Sequence, residues 1–383
     1  YAPFPQDPRV RREALVSAEL GATTVICLAD GSAAQGADRW GEIGIIRLSG
    51  AKRRGTVAQY LSEYFGFLLA VYRLIRRDRE LREASIIHVH SLPDFLVFAA
   101  IPARRRGARV ILDLHEIFPE FARATFGPVW GRLIRPLIKV LERASRRFAD
   151  VTLTVTRPIL ELLTERRARP DERIEIIHNV PDLRDFGPQL APRPQLTRPG
   201  LRLVYHGTLT HMYGLDLAID GVAGARKEGV DVRFDVFGDG PQRGALILQI
   251  ERLGLGDVVT LRGVSPAARL RNELPNYDAG LVPTRGDAMT KYSLSTKLLE
   301  YVHLGLPVVA PALMTYEEYF PPPALIYYRP NDSGAMTAAI VALAAMPAEK
   351  RAEHVVVSQR SLAELNWESE RKRLREIYAE LLA

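Results

Sequence analysis

One segment of the sequence combines a cation, a carboxylate and small polar side chains at a spacing that suits a phosphate ligand. It is SLSTKLLEYVHLGLPVVA at residues 293–310, where a helix is expected to begin near Ser295 or Thr296. Lys297 then lies in the first turn, where a cation opposes the helix dipole at a cost of about 0.3–1 kcal/mol unless an anion is bound. Free amides at a helix start, together with a lysine, favour a diphosphate. Glu300 follows one turn later, where a carboxylate can hold the two vicinal hydroxyls of a ribose.

The same spacing also fits a plainer interpretation. Lys297 and Glu300 are three residues apart, so they could pair with each other on a solvated helix face. Spacing alone slightly favours that pair. Both interpretations stay open at the level of the sequence.

Glycines and a proline follow apolar runs of the second half, at places where parallel sheets bind ligands. In such sheets the binding crevice lies beyond the carboxyl ends of the strands, and Gly207, Gly238, Gly263 and Pro283 each follow one run. Glycine lets the backbone turn tightly and approach a ligand closely. Each residue alone is also explained by turn sterics, and the fingerprint GxGxxG is absent. The set therefore indicates a nucleotide crevice only mildly.

The elements that must position these residues are strands and crossover helices. Two sets of six runs are apolar throughout, as strands covered on both faces are, and they alternate with segments long enough for helices. The runs lie at residues 23–28, 43–48, 85–90, 109–114, 151–155 and 173–177, then at 201–205, 232–237, 258–261, 278–282, 306–310 and 325–328. This alternation predicts two doubly wound α/β domains with parallel sheets.

The domain limits follow from a proline-rich stretch. Residues 186–200, FGPQLAPRPQLTRPG, contain four prolines, two glycines and no acid, which predicts an extended linker. The domains are placed at 1–185 and 201–365, with a helical tail at 366–383. The first domain opens with a turn-rich loop and a helix at 10–20 rather than a strand, so its first strand is expected to be missing.

Composition excludes several classes of protein. Of 383 residues, 47% are hydrophobic and 25% charged, which excludes disorder, collagen and coiled coil as the main body. Cys27 is the one cysteine, so no intrachain disulfide forms, and a reducing compartment is expected. The sequence contains no stretch of 18 apolar residues, so no membrane-spanning helix is predicted. The first ten residues lack the pattern of a signal peptide. A cytoplasmic location is therefore expected.

Basic residues are concentrated in the first half. The formal charge is +7, and residues 51–150 alone hold 19 basic and 10 acidic residues. Residues 130–148 add apolar side chains at helical spacing, as in helices that lie on anionic membranes. The favoured alternative is that this apolar face simply covers the sheet, while exposed arginines dock on the inner face of a membrane in either case. Nucleic acid is unlikely as a partner, because no aromatic platform lies among the arginines.

Several segments, in order along the chain, resemble one enzyme family. STKLLE at 295–300, followed by GLPVV at 305–309, looks like the donor-binding helix of retaining glycosyltransferases of the GT-B fold, family 4. The agreeing pieces are DPRVRREA at 7–14, DLHEIFPE at 113–120, IHNVPD at 177–182, HGTL at 206–209 and VFGDGP at 236–241. The resemblance covers nearly the whole chain. It implies two Rossmann-like domains with an interdomain cleft and a C-terminal helix that crosses back to the first domain.

The resemblance also implies roles for residues. His115 would be the catalytic residue that faces the donor sugar, and His90 and Glu116 would lie on the acceptor side. The donor-binding residues would be Gly207, Thr208, Gly238, Arg243, Ser295, Thr296, Lys297 and Glu300. The reaction would need no cofactor and no metal, and no His/Cys cluster or carboxylate pair shows ligand spacing in the sequence.

The chain departs from the family pattern at two places. Thr208 and Tyr213 stand where the family often carries a basic pair, and each missing phosphate contact is worth roughly 1.5–3 kcal/mol. Tyr292 stands where the family carries its first motif glutamate. We expect Arg243 or Lys297 to compensate, or donor affinity to be low.

Four histidines lie at or near the ends of predicted strands. We expect His88 and His90 to point to opposite faces of one strand, with His90 reaching the cleft. We expect His178 and His206, which end strands, to be structural.

The expected activity is sugar transfer, with retention, from a UDP- or GDP-linked donor to a saccharide or lipid-linked acceptor in cell-surface polysaccharide or glycolipid synthesis. One alternative is a nucleotide-sugar 2-epimerase, for which no convincing set of acid/base carboxylates is found. The other is a non-catalytic relative that binds a nucleotide sugar, which the lost basic pair favours.

Overall fold

The computed structural model describes residues 3–29, 36–50, 57–117, 135–192 and 200–383. Its chain forms two compact units, Tyr1–Asn179 with Glu368–Ala383 and Val180–Trp367. The last helix thus belongs to the N-terminal unit. Within the described residues, no helix is both long enough and apolar enough to cross a membrane.

In its described residues, the N-terminal unit holds two sheets. Its strands are β1 Thr24–Leu28, β2 Gly36–Trp40, β3 Ile43–Leu48, β4 Ile86–His90, β5 Arg109–Leu114, β6 Val151–Thr154 and β7 Arg173–Ile176. One sheet has the order β1-β3-β2, and the other is parallel with the order β4-β5-β6-β7. The strand β2, GADRW, pairs antiparallel with β3, so the first sheet is mixed. The sequence did not predict β2, because its side chains are mostly exposed and it lacks an apolar run.

The helices of this unit cover the sheets. They are α1 Pro8–Ala18, α2 Val57–Arg77, α3 Arg79–Arg82, α4 Ile101–Arg104, α5 at residues 135–148, α6 Arg157–Glu165 and, at the end of the chain, α14 Trp367–Leu382. The start of α1 is fixed by Asp7, whose carboxylate accepts hydrogen bonds from the backbone of Arg9 and Val10. Arg9 and Glu13 of this helix are both buried.

The C-terminal unit is built on one parallel sheet of six strands. They are β8 Leu201–His206, β9 Val232–Phe237, β10 Val259–Gly263, β11 Ala279–Leu281, β12 Val308–Pro311 and β13 Ile326–Tyr328, in the order β10-β9-β8-β11-β12-β13. The helices are α7 Leu215–Lys227, α8 Arg243–Arg252, α9 Ala267–Glu273, α10 Thr296–His303, α11 Met314–Tyr319, α12 Ser333–Ala345 and α13 Ala348–Glu364. All six strands lie at predicted positions, which confirms the doubly wound α/β class for this unit.

Close packing fixes α10 on the sheet. Gly280 in β11 leaves room for the ring of Tyr301, since a Cβ at that glycine would lie 2.2 Å from the ring. The hydroxyl of Tyr301 accepts a hydrogen bond of 3.0 Å from the backbone N–H of His206, the last residue of β8. The start of α10 is thereby held beside the carboxyl end of β8.

Candidate functional site

The start of α10 places two charged side chains in a buried position. Ser295 is the N-cap residue but makes no capping hydrogen bond, and Thr296 begins the helix. Lys297 is 8% exposed and Glu300 is 9% exposed. This burial contradicts the plainer interpretation of a pair on a solvated helix face. Two charges that could have remained in water are instead partly desolvated, which is typical of a functional site.

The ammonium of Lys297 lies against aromatic rings and a glycine turn. Its Nζ is 4.0 Å from the ring centroid of Tyr213 and 5.5 Å from that of Tyr205. A Cβ at Gly207 would lie 3.2 Å from the same Nζ, so the glycine allows this approach. Burial lowers the pKa of Lys297 to about 8, against the opposing attraction of Glu300. At neutral pH the ammonium of Lys297 is therefore charged but poorly solvated. An anionic ligand beside it would stabilise this charge.

Glu300 pairs with a histidine that the sequence analysis had assigned a structural role. Its Oε2 is 2.9 Å from Nε2 of His206. The two atoms meet at an angle outside hydrogen-bond geometry, so each remains buried without a hydrogen-bond partner. A ligand hydroxyl could satisfy them. His206 thus belongs to the site, and its place as the last residue of β8 was the signal.

Two glycine turns line the carboxyl ends of the central strands. Gly207 after β8 has φ +131° and Gly238 after β9 has φ +140°, values that side chains rarely adopt. A Cβ at Gly238 would lie 1.8 Å from the carbonyl oxygen of Gly207, so the two turns are pressed together. Thr208 is exposed, and its carbonyl accepts a hydrogen bond of 2.9 Å from the Tyr205 hydroxyl.

A second cation follows the turn after β9. Arg243 is the first residue of α8, and its Nη1 is buried without a hydrogen-bond partner. Arg285, by contrast, is bound to the carboxylate of Asp216 and to the carbonyl of His211. Of these two arginines, Arg243 is the one that retains hydrogen-bonding capacity for a phosphate.

In the N-terminal unit, the ends of β4 and β5 bring His90 and His115 together. The Nε2 atom of His115 is 2.8 Å from Oδ2 of Asp113, and Nδ1 of His90 is 3.1 Å from the same oxygen. Arg9 donates to both oxygens of Asp113 at 2.9 and 2.8 Å. Burial alone would raise the pKa of Asp113, but Arg9 and His115 outweigh it and hold that pKa well below its usual value.

A further carboxylate and histidine adjoin this group. Glu13 of α1 is 1% exposed, and its Oε2 is 3.6 Å from Nε2 of His88 and 3.8 Å from Nε2 of His90. Burial raises the pKa of Glu13 to about 8, against the attraction of Arg9. The absence of ligand spacing in the sequence was therefore misleading, since ligand atoms of Glu13, His88, His90 and Asp113 lie within 4.8 Å of one another.

The expectation that His88 and His90 face opposite ways is wrong. Their rings are stacked with centroids 4.4 Å apart, because side chains two residues apart in a strand point to the same face. Glu116 follows His115; burial raises its pKa, and His115 opposes that rise. His178 is structural: its ring and its backbone N–H both contact the carboxylate of Glu370 in α14.

The predicted donor-binding residues therefore lie together at one edge of the second sheet, and His90, His115 and Glu116 lie at the ends of β4 and β5. The sequence analysis missed Arg9 and Glu13 as parts of a site. The motif at 7–14 contained both, but nothing local to it shows that α1 packs on strands about 100 residues away.

Comparisons with known proteins agree with this architecture. Among solved structures, sucrose-phosphate synthase from Thermosynechococcus elongatus superposes with a TM-score of 0.75, at 17% identity over 97% of this chain and 92% of that one. The Anabaena protein HepE, solved in complex with UDP, gives 0.72 at 13% identity over 99% and 98%. The fold is that of the GT-B glycosyltransferases.

Sequence comparisons identify the family. A family model described as Glycosyltransferase Family 4 matches residues 17–185, and one described as Glycosyl transferases group 1 matches residues 200–346. The chain belongs to the family 4 type of GT-B glycosyltransferases. WcaL of Escherichia coli (strain K12), whose name places it in colanic acid biosynthesis, is 28% identical over 37% of this chain. That match spans about a third of the relative's length, 34%.

Proposed function

We propose that the protein is a retaining hexosyltransferase that uses a UDP- or GDP-linked sugar and glycosylates a saccharide or lipid-linked acceptor in cell-surface polysaccharide or glycolipid synthesis. The observation that carries the proposal is the pair of buried charges at the start of α10. Lys297 and Glu300 lie beside the glycine turn that follows β8, where parallel sheets bind ligands. The UDP complex of HepE, which shares the fold, and the name of WcaL support this class of donor and product.

The donor diphosphate would lie at the start of α10. Backbone N–H groups of the first helical turn are free there, and the helix dipole favours an anion. Lys297 supplies the positive charge, and Arg243 supplies a free guanidinium N–H from the neighbouring helix start. Tyr213 does not replace the missing basic residue; its ring instead holds the ammonium of Lys297 beside Gly207. The ribose hydroxyls would take the open hydrogen-bonding positions of Glu300 and His206.

The transfer step needs no metal at the diphosphate in this scheme. The acceptor hydroxyl attacks the anomeric carbon on the face from which the nucleotide leaves. The bond from that carbon to the β-phosphate oxygen breaks, and the leaving diphosphate takes the acceptor's proton. Lys297 and the helix start stabilise the charge that develops on the phosphate. No side chain acts as the nucleophile.

The N-terminal unit would supply the remaining contacts. We assign the contact with the donor sugar to His115, and the acceptor side to His90 and Glu116, as the family resemblance implies. Asp113 fixes the ring of His115 through its bond of 2.8 Å. The carboxylate therefore favours one tautomer of His115, with the proton on Nε2, and orients the ring.

Ligand binding and product release test the proposal together. UDP, GDP and ADP are titrated while thermal unfolding is followed, and stabilisation by UDP or GDP is expected. Free nucleotide should then form from the sugar donor when an acceptor is present, without added Mg²⁺ or Mn²⁺. Conversion of the donor into an isomeric nucleotide sugar, with no net release of nucleotide, would favour the epimerase. If none of the nucleotides binds, the result would favour the non-catalytic relative. That alternative is motivated by Thr208 and Tyr213, which stand where the family often carries a basic pair.

We further propose that α5 docks the protein on an anionic membrane, such as the inner face of the cell membrane. Leu137 and Val140 are 60% and 64% exposed, so the helix does not bury all its apolar side chains against the sheet. Exposed Lys139 and Arg143 lie on the same helix. Apolar and basic side chains that share an exposed helix surface suit the interface of such a membrane.

Sedimentation with vesicles tests the docking. Vesicles with phosphatidylglycerol should bind the protein, and vesicles of phosphatidylcholine alone should not. Reversing Lys139 and Arg143 to Glu should weaken binding strongly, since each basic side chain contributes about 1 kcal/mol. The matched control is a double variant in which Lys227 and Arg252, exposed residues of the other unit, are replaced by Glu. Equal losses in both double variants would contradict docking through α5.

A further inference from the structure

The N-terminal unit contains a group of buried ligand atoms that the proposed transfer chemistry does not use. Oε2 of Glu13 and Nε2 of His88 are both buried and have no hydrogen-bond partner. Such orphaned atoms cost free energy, on the order of 1–3 kcal/mol for a neutral group and more for a charged one. Something that the side chains themselves do not provide is needed to satisfy them.

The atoms face one another at the spacing of metal ligands. The Glu13 oxygen is 3.6 Å from Nε2 of His88 and 3.8 Å from Nε2 of His90. Ligands about 2.0–2.1 Å from a tetrahedral zinc ion lie roughly 3.3 Å apart. Each of the two distances from Glu13 to a histidine would have to shorten by only a few tenths of an ångström to reach that spacing. Two imidazoles and one carboxylate also form a donor set that zinc commonly uses.

The partners of the other ring nitrogens fit the same interpretation. Nδ1 of His88 is 2.7 Å from the hydroxyl of Tyr378, and Nδ1 of His90 is 3.1 Å from Asp113. Metal-bound histidines usually hold their second nitrogen in this way, which fixes the ring and leaves Nε2 to face the metal. Asp113 remains an outer partner, because both its oxygens are bound by Arg9.

The guanidinium of Arg9 does not satisfy Glu13. It makes its bidentate contact with Asp113 and approaches Glu13 at 3.1 Å without hydrogen-bond geometry, so both carboxyl oxygens of Glu13 lack a hydrogen-bond partner. A divalent ion would supply the bond that these oxygens lack.

We propose that Glu13, His88 and His90 bind a divalent transition-metal ion, with zinc the best match. The ion joins α1 to β4, and through Tyr378 it also orients α14. Its ligands all belong to the N-terminal unit, whereas we assign the donor diphosphate to α10 of the C-terminal unit. The ion has a structural role: with Nδ1 bound to Asp113 and Nε2 bound to the ion, His90 would line the acceptor side with its ring and would not hydrogen-bond the acceptor.

Metal content and binding test this proposal on the whole chain. Protein purified without chelators is analysed by mass spectrometry for metals, and after dialysis against a chelator it is titrated with ZnCl₂ by calorimetry. One ion per chain is expected in both measurements. Zinc should raise the melting temperature, and Co²⁺ in its place should give the visible absorption of a tetrahedral site.

Near-isosteric variants identify the ligands. Glu13→Gln and His88→Gln keep the side-chain volume and should lose the high-affinity site, the zinc-induced rise in melting temperature and the cobalt spectrum. His211→Ala, an exposed histidine of the other unit, should keep all three. Binding of UDP, measured in each variant, verifies that the chain is folded. A wild-type protein that binds no zinc, or variants that bind it as wild type does, would overturn the proposal.

Discussion

The two units differ in how many charges they bury. Among the residues that the structure describes, the N-terminal unit buries eight Asp, Glu and Arg side chains, whereas the C-terminal unit buries three charged residues. Two of those three are Lys297 and Glu300, both at the proposed donor site. In the C-terminal unit, the buried charges are therefore concentrated where we propose that the donor binds. In the N-terminal unit they lie at several places, and some of them form networks that join elements.

The networks of the N-terminal unit show what such burial does. Arg146 of α5 is fully buried and donates twice to Glu172 at 2.8 Å, and also to the carbonyl of Leu163. These bonds connect α5 to α6 and to the loop before β7. The C-terminal unit instead relies on one large apolar cluster, formed by its central strands with α7 and α12. In the N-terminal unit, buried ion pairs thus connect helices and loops. In the C-terminal unit, apolar packing makes the corresponding connections between elements.

The sharpest test of this difference, with the largest expected effect, is removal of Arg146. Arg146→Met should destabilise the protein by about 3–5 kcal/mol, because Glu172 is left charged and buried. The control is Arg226→Met, which breaks an equally bidentate but exposed pair with Asp257 and should cause no measurable change. Urea unfolding measures both. Similar losses in the two variants would show that burial of the pair is not what matters.

In the C-terminal unit, the buried cation should act on binding rather than on stability. Lys297→Met removes a desolvated charge, so the melting temperature should stay or rise. Affinity for UDP or GDP should fall by roughly 10- to 150-fold, because a charge-assisted hydrogen bond to phosphate contributes about 1.5–3 kcal/mol to the free energy of binding. Calorimetry measures the affinity, with the exposed Lys227→Met as control. A loss of stability with unchanged affinity would make Lys297 a structural residue like Arg146.

The ribose assignment predicts a smaller loss. Glu300→Ala should weaken nucleotide binding at least tenfold, about 1.4 kcal/mol. The effect should largely disappear with a ligand that lacks both ribose hydroxyls, since the carboxylate would then have nothing to bind. Glu353→Ala, an exposed residue of α13, serves as control. An unchanged affinity in Glu300→Ala would remove this assignment.

The pH dependence sharpens the comparison further. The pKa of Lys297 is lowered from 10.5 to about 8, so between these values the unfolded chain binds more protons than the folded one. The stability of the free protein should therefore gain a contribution on the order of 3 kcal/mol as pH rises through that window. Lys297→Met should lack this gain.

Nucleotide binding should show the opposite trend. A bound diphosphate favours the protonated lysine, so affinity should fall as pH rises above about 8, with proton uptake on binding near that pH. Calorimetry in two buffers of different ionisation enthalpy detects the uptake. Affinity that is independent of pH between 7 and about 9.5 would contradict a contact between Lys297 and phosphate.

The sequence predicted where the residues of the proposed donor site lie in the fold, because they are local to recognisable elements. The helix start near Ser295 or Thr296 was confirmed at Thr296, and the glycines after β8 and β9 lie at the expected edge. Hydrophobic periodicity and the rule for strand ends depend on only a few neighbouring residues, so they are sufficient to predict these positions. The partner of Glu300 was missed, because the contact with His206 depends on how α10 packs on β8.

The N-terminal cluster could not be predicted in the same way. Glu13, His88 and Asp113 come from a helix and two strands that are separated by tens of residues, so no local spacing shows them as a group. The strand β2 was missed because its polar residues carry no apolar signal. For His88 and His90 the sequence does contain the signal, since strand geometry puts residues i and i+2 on one face, as their stacked rings show.

A crystal structure with bound nucleotide-sugar donor tests the central claim most directly. The account predicts a β-phosphate oxygen within about 2.7–3.2 Å of the Lys297 ammonium and of backbone N–H groups at the start of α10. It also predicts ribose hydroxyls at the carboxylate of Glu300. A nucleotide bound elsewhere, with Lys297 still resting on Tyr213 and no phosphate beside it, would contradict the account.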